Sequence, residues 1–267
     1  FDHIGRGETG AMRRPGEEDA IHNGADDNAS GIAVVLELAG ALADAHRRGK
    51  VPFPRGVLFA FWTGEEIGLA GSGWFAEHPV IPLDKVIAFL NFDMVGRLHD
   101  EKLILQGVGS SPLWRRLIEK RNVAAGFALV LQDDPYLPTD VTALYPKGVP
   151  VLNFFTGGHD DYHRPTDDAE KLEYVGMQRI AQFAQAILID LLSDPARPEY
   201  AKVERAQGSG GGRENLRIYL GTIPDYTGQV EGVKLTGVRP GGPAEKGGLK
   251  AGDVIVEFAG QKVENIY

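Results

Sequence analysis

Val57-Leu58-Phe59-Ala60-Phe61-Trp62-Thr63-Gly64-Glu65-Glu66-Ile67-Gly68 is an apolar run that ends on two adjacent carboxylates. The apolar part has the composition of a buried strand, and a strand that opens onto two acids places costly charges at its end. Buried charges persist when they are paired or bound to a metal. One acid can hold a metal while its neighbour moves protons, and metal-assisted hydrolysis needs both tasks done. Taken alone, the pair is better read as a solvated acidic turn after a strand.

Three other segments repeat the pattern. Asn23-Gly24-Ala25-Asp26-Asp27-Asn28-Ala29-Ser30-Gly31 precedes a helix whose apolar residues Ile32, Val35, Leu36, Ala39, Leu42 and Ala43 recur at helical spacing, with Gly49 placed to end it. The same Asp and Ser residues also suit a helix N-cap. Val86 to Phe92 is a second buried-type strand, ending at Asp93. Val149 to Phe155 is a third, followed by Gly157-Gly158-His159-Asp160-Asp161-Tyr162-His163-Arg164-Pro165-Thr166-Asp167. Carboxylates and imidazoles thus gather beyond the carboxyl ends of several strands, where open α/β sheets bind ligands. Oxygen and imidazole donors suit zinc.

Four strings, Gly24-Ala25-Asp26-Asp27-Asn28-Ala29-Ser30-Gly31, Gly64-Glu65-Glu66-Ile67-Gly68-Leu69-Ala70-Gly71-Ser72, Asn91-Phe92-Asp93-Met94-Val95-Gly96 and Asp161-Tyr162-His163-Arg164-Pro165-Thr166-Asp167, come in the order found in one family. Over about residues 1–193 the chain resembles the co-catalytic zinc aminopeptidases, the group of the bacterial leucyl aminopeptidases and the transferrin-receptor-like domains. The resemblance implies that Asp27 bridges two zinc ions, that Glu66 and His163 complete one site, and that Asp93 belongs to the other. It implies Glu65 as the general base that takes a proton from a metal-bridging water and passes it to the departing amine. Tyr162 matches a residue that hydrogen-bonds the tetrahedral oxyanion in some members; packing beside His163 is its other role. Asp2 matches an acid that orients a metal-binding His, and Asn28, Asp167 and Asp26 are further supporting positions. His159 is expected near the site without ligating.

One departure stands out. The family's first ligand is a His that would sit immediately before Phe1, so Phe1-Asp2-His3-Ile4-Gly5 reads as a motif cut after its first letter. His3 occupies a different place in the pattern and is expected in a loop or behind the ligands. The resemblance therefore implies two zinc ions in an intact domain, one zinc and little aminopeptidase activity in this chain, and loss of the strands and helix that precede Phe1. The chain is expected to be a fragment.

Alternating strands and helices imply an α/β sandwich, and the resemblance makes it three layers around a mixed, largely parallel sheet of zinc-peptidase type. Short helices are expected between Gly68 and His78 and over Ser111–Asn122, a strand over Phe127–Leu131, and a closing helix at about Tyr174–Leu192 with Ile180, Phe183, Ala184, Ile187, Leu188 and Leu191 on one face. Asp133 to Thr139, with Pro135 and Pro138, is expected to be an irregular loop that lines the pocket or merely connects elements.

After Asp194 the composition changes. Pro195, Pro198 and Gly208-Ser209-Gly210-Gly211-Gly212 point to a flexible linker over 194–213. Leu216–Gly221 and Gly232–Val238 read as strands, and Gly241 to Ile255 resembles the bacterial PDZ pattern, a short helix before Gly-Asp-x-Ile. A small, β-rich, PDZ-like domain, incomplete at its C-terminal side, is therefore expected over 214–267. Tyr219, Leu220, Gly221 and Thr222 are its candidate loop for a peptide C-terminus, bound as an added strand; the alternative is a vestigial groove that only packs on the neighbouring domain.

The net charge of −9 opposes general nucleic-acid binding. Residues 214–267 hold seven acids and six bases, so nearly all of the excess lies upstream with the proposed site. There is no Cys, which excludes disulfides and thiolate metal sites. No membrane span is expected from the apolar runs. The family resemblance favours export. The expected function is a metallo-aminopeptidase acting on peptides with a free N-terminus. A glutaminyl-cyclase-like zinc acyltransferase and a non-catalytic receptor or scaffold domain are the alternatives on the same fold, and retention of Glu65 beside the ligands argues against the last.

Overall fold

The structure is a computed structural model that describes residues 3–6, 11, 16, 17, 19–49, 54–204, 220–224, 230–238 and 242–263. Its centre is a four-stranded sheet of β1 (Phe89–Phe92), β2 (Lys102–Gln106), β3 (Ala128–Gln132) and β4 (Val151–Phe155), in the order β1-β4-β2-β3. β1 pairs parallel with β4, and β2 parallel with β3; β2 and β4 run antiparallel. The sheet is mixed and largely parallel, as expected. The β2 strand has no counterpart in the sequence reading.

Strand side chains alternate between faces, and the alternation separates two environments. Phe92, Leu103, Leu105, Leu152 and Phe154 point into the main core against α1 (Gly31–Arg47), α3 (Leu113–Ala125) and α5 (Tyr174–Ser193). Trp114, Ile118, Ile180, Phe183 and Ile187 fill that layer and are almost completely buried. The opposite face carries Asn91, Ile104, Gln106, Asn153 and Phe155, and looks toward the acid-rich loops. Beside it, α4 (Val141–Leu144) packs near α2 (Ala70–Glu77).

Three expectations change. Residues 57–62 are not a strand: they carry no ladder bonds among the described residues. A strand needs a partner for its backbone groups. The edge of β1 that faces away from β4 lies across a cavity of about 640 Å³, flanked by Arg55–Trp62, Lys85–Phe92, α1 and α5. In α1 the inward stripe is Gly31, Val34, Leu38 and Leu42, whereas Leu36 and Ala43 are exposed. The helix is apolar around most of its circumference, so packing against α5 rather than pattern selects its buried face. By length and composition alone residues 25–47 would suit a membrane span; here α1 contributes Val34 and Leu38 to the core.

The third change concerns the segment after α5. Residues 194–204 are docked rather than free. Arg55 binds the backbone carbonyls of Leu191, Asp194, Pro195 and Ala196, and Arg197 binds those of Asp84 and Val86. The Tyr145 hydroxyl donates to Ala201 O (3.1 Å) and accepts from Val203 N (2.6 Å). The Gly-rich stretch 208–212 lies outside the described residues. Beyond it, β5 (Thr222–Pro224), β6 (Val233–Val238) and β7 (Val254–Ile255) form an antiparallel sheet. α6 (Pro243–Lys246) precedes Gly252-Asp253, and β8 (Glu257–Phe258) pairs with β9 (Gln261–Lys262). The strand expected over 216–221 is outside the described residues up to Tyr219, and the observed strand begins at Thr222.

Candidate metal centre

Residues 25–30 form a kinked turn, with Asp27 and Asn28 outside helical geometry, so the two side chains leave the axis of α1. Asn28 fastens this turn to the end of β1: its Nδ2 donates to Phe92 O (2.8 Å), and its Oδ1 accepts from Met94 N and Gly31 N (3.2 Å each). The approach demands glycine at Gly31, where a Cβ would meet Phe92 O at 2.2 Å. Asp27 and Asp93 are thereby held on adjoining backbone segments.

A second anchor is Asp167, which is wholly buried. Its Oδ2 accepts from Asp26 N (2.9 Å) and Asp27 N (3.1 Å), while its Oδ1 accepts from Arg97 Nη2 (3.1 Å). Asp26, equally buried, accepts from Gly96 N (2.6 Å) and faces His159 Nε2 at 3.1 Å. Asp26 and His159 thus link the turn to the His163 loop, a role the sequence reading left unassigned.

Glu66 is the hub. His163 Nε2 lies 3.1 Å from Glu66 Oε2 and 3.3 Å from Asp27 Oδ2, and His3 Nδ1 lies 3.0 Å from Glu66 Oε1. His3, Asp27 and Glu66 can offer ligand atoms that all lie within 4.8 Å of one another. His3, expected in a loop or behind the ligands, is therefore in the cluster itself. Its Nε2 is buried without a hydrogen bond among the described residues. Two imidazoles and two carboxylates so gathered, with an imidazole nitrogen left unsatisfied, fit zinc's donor preference. The Tyr162 ring stacks on His163 at 3.9 Å between centroids.

The electrostatics match a site built to hold positive charge. Burial alone would raise the Glu66 carboxyl, but His163 and His3 beside it outweigh burial and hold it well below its ordinary value. Burial opposes charge on His163 as well, yet Asp27 and Glu66 push the imidazole up to about 10. Asp93 is pushed up to about 8, first by burial and then by the charges of Asp27 and Asp140, with Thr139 opposing through a hydrogen bond. A bound cation inverts that logic and favours the carboxylate.

Asp27, Glu65 and Asp93 meet at a pocket of about 60 Å³, lined also by Leu137, Pro138, Thr139 and Tyr162. The Pro-rich loop therefore lines the site, which settles the choice left open by its sequence. Asp140, whose carboxyl burial raises and Ser72 Oγ binds at 2.5 Å, was missed by sequence reasoning, as were Gln106 and Asn153. The available signal was a polar residue inside an apolar strand, as in Val151-Leu152-Asn153-Phe154-Phe155. Asp2 and Tyr219 lie outside the described residues. Leu220 and Gly221 precede β5, with Leu220 O accepting from Ala244 N (2.9 Å), and Thr222 begins it.

The chain matches Peptidase family M28 over residues 1–188 and a PDZ domain over residues 235–266. It is 32% identical over 146 residues to a probable leucine aminopeptidase 2 of Aspergillus oryzae, covering 50% of this chain and 28% of that protein. It superposes on a zinc aminopeptidase from Bacillus subtilis with a TM-score of 0.55 at 24% identity, covering 70% of this chain and 48% of the other. Glutaminyl cyclase from Porphyromonas gingivalis gives 0.51 at 17% identity, with 66% of each chain covered. At these identities the superpositions establish the fold. The chain spans half or less of the aminopeptidases it matches.

Proposed function

From its membership of Peptidase family M28, we propose that this chain carries the catalytic centre of a zinc-dependent aminopeptidase, acting on peptides with a free N-terminus. The observation that carries the reading is the convergence of Asp27, Glu66, His163 and His3 beside a pocket that Glu65 and Asp93 line. Asp27, Glu66 and His163 would hold zinc, with His3 a further candidate ligand of the same ion. Asp93, with Asp27 as neighbour, would serve a second ion, for which fewer donors are at hand among the described residues. When bound, zinc supplies a Lewis acid that polarises a carbonyl and makes water acidic.

The protein's own groups do the rest. Glu65, at the pocket rather than in the ligand cluster, takes a proton from the attacking water and returns it to the departing amine. Asn28 and Asp167 keep Asp27 in place through the backbone. Tyr162 holds the His163 ring by stacking and turns its hydroxyl to the reacting carbonyl oxygen. The PDZ-like segment receives a peptide or protein C-terminus at Leu220–Thr222, and the protein works outside the cytoplasm; both rest on resemblance.

The test contrasts the two glutamates. Glu65→Gln is expected to keep its zinc and lose at least ~100-fold in peptide hydrolysis, whereas Glu66→Ala loses the metal. Metal analysis of the same dialysed samples is expected to return about one tightly held zinc in the unaltered chain, the stoichiometry that one complete donor set supports. Near-normal turnover by Glu65→Gln, or metal loss as severe as in Glu66→Ala, overturns the assignment. Cyclisation of N-terminal Gln without hydrolysis favours the acyltransferase reading.

A further inference from the structure

On the sheet face toward the acids, each of the four strands carries one primary amide at the same level. Asn91 lies opposite Asn153, Asn153 opposite Gln106, and Gln106 opposite Gln132. The side chains bond in one direction across the sheet. Asn91 Nδ2 donates to Asn153 Oδ1 (3.0 Å), Asn153 Nδ2 to Gln106 Oε1 (2.8 Å), and Gln106 Nε2 to Gln132 Oε1 (2.7 Å). Asn91 Nδ2 also donates to Thr139 Oγ1 (2.9 Å). Asn153 is 2% exposed and Gln106 4%.

Stability does not call for this arrangement, because apolar residues of the same shape can replace a buried hydrogen-bonded pair at little or no loss. Two of the four amides, Gln106 and Asn153, line the pocket that Asp27, Glu65 and Asp93 share. Its other walls, Met94, Leu137, Phe155 and Tyr162, are largely apolar. A primary amide offers two N–H donors and an oxygen with two lone pairs. The ladder uses one donor and one lone pair of Asn153, leaving half of its capacity to an occupant.

We propose that Gln106 and Asn153 form the floor of the subsite for the substrate's first side chain. They select a side chain with a hydrogen-bonding tip over its apolar isostere. The inference rests on the aminopeptidase reading above and names its substrate class. An apolar tip strips water from the spare donor and lone pair of Asn153 and returns no bond; an amide or hydroxyl tip replaces the water.

Isosteric pairs test this in the full, zinc-loaded chain: otherwise identical peptides beginning with Asn or Leu, and with Thr or Val. The polar member is expected to have the higher kcat/KM, by about tenfold, the scale of one buried polar group left unsatisfied. Gln106→Met and Asn153→Leu are each expected to bring the Asn:Leu ratio to one or below. A peptide beginning with Ala, whose side chain stops short of the floor, reports on the aminopeptidase reading alone. If it is not cleaved, that reading fails, and the floor is tested by calorimetric Kd values of asparagine and leucine hydroxamates. A ratio at or below one in the unaltered chain, by either readout, overturns the proposal without any variant having to fold. A ratio unchanged in both variants overturns it as well.

Discussion

Asp167→Ala isolates the anchor of the candidate metal centre without touching a ligand. The carboxylate is wholly buried, accepts two backbone amides from the Asp26-Asp27 turn, and pairs with Arg97, itself 9% exposed. Removing one partner of a buried ion pair costs about 3–5 kcal/mol. Arg97 retains Asp161 at 3.4 Å, so the lower end, about 3 kcal/mol, applies. Two amides left without an acceptor add about 1–2 kcal/mol together. The total, about 4–5 kcal/mol, is a large share of the 5–15 kcal/mol that typically holds a domain together. In a domain of this size that is roughly 10–20 °C of Tm. Asp167→Asn keeps an oxygen for the two amides but sets its NH2 against Arg97 Nη2, so the loss of the ion pair, about 3 kcal/mol, remains and only the amide loss is spared. Denaturant unfolding gives the stability and zinc competition gives the affinity, and both should fall in the order unaltered, Asn, Ala. The reasoning is refuted if Asp167→Ala unfolds within about 1 kcal/mol of the unaltered chain, or if it binds zinc unchanged.

Two further outcomes follow from the same geometry. In the presence of chelator, Tm should fall between about pH 5 and about pH 9: Asp93 titrates in the folded state at about 8, so the stability of its neutral form is present below its unfolded pKa and lost as pH rises through the folded one. His163, raised to about 10, adds a loss of the same sign, and saturating zinc should abolish the slope; a flat or rising Tm in chelator contradicts the burial of Asp93. Truncation after Glu204 should leave small-peptide hydrolysis intact, whereas truncation after Asp194 uncovers Tyr145 and removes its bonds to Ala201 and Val203, lowering Tm by several degrees; equal stability of the two truncations would show the docked segment to be passive.

Much of the site was legible because its chemistry is local in the chain. Asp27, Glu66, Asp93 and His163 each follow or precede a recognisable element, and acids at such positions leave a mark in composition. Support positions Asn28 and Asp167 were legible for the same reason, though their bonds to the backbone of β1 and of the Asp26-Asp27 turn were not. The closing helix and the three strands over 89–92, 128–132 and 151–155 carry enough apolar residues to be found without tertiary information.

What remained hidden depends on partners distant in sequence. Residues 57–62 have strand composition, but a strand exists only where another backbone supplies hydrogen bonds, and β1 lies across a cavity from them. The apolar residues of α1 fit several faces, and α5 decides that Val34 and Leu38 go inward. His3 has no sequence neighbour to mark it, yet the fold sets it against Glu66. The amides of Asn91, Gln106, Gln132 and Asn153 are unremarkable one by one; strand register alone aligns them into a continuous ladder. The amino-acid sequence by itself thus determined which groups are candidates for the chemistry, because residue type and local period are written along the chain. The tertiary structure decided what those groups touch, because contact is a property of elements brought together from far apart.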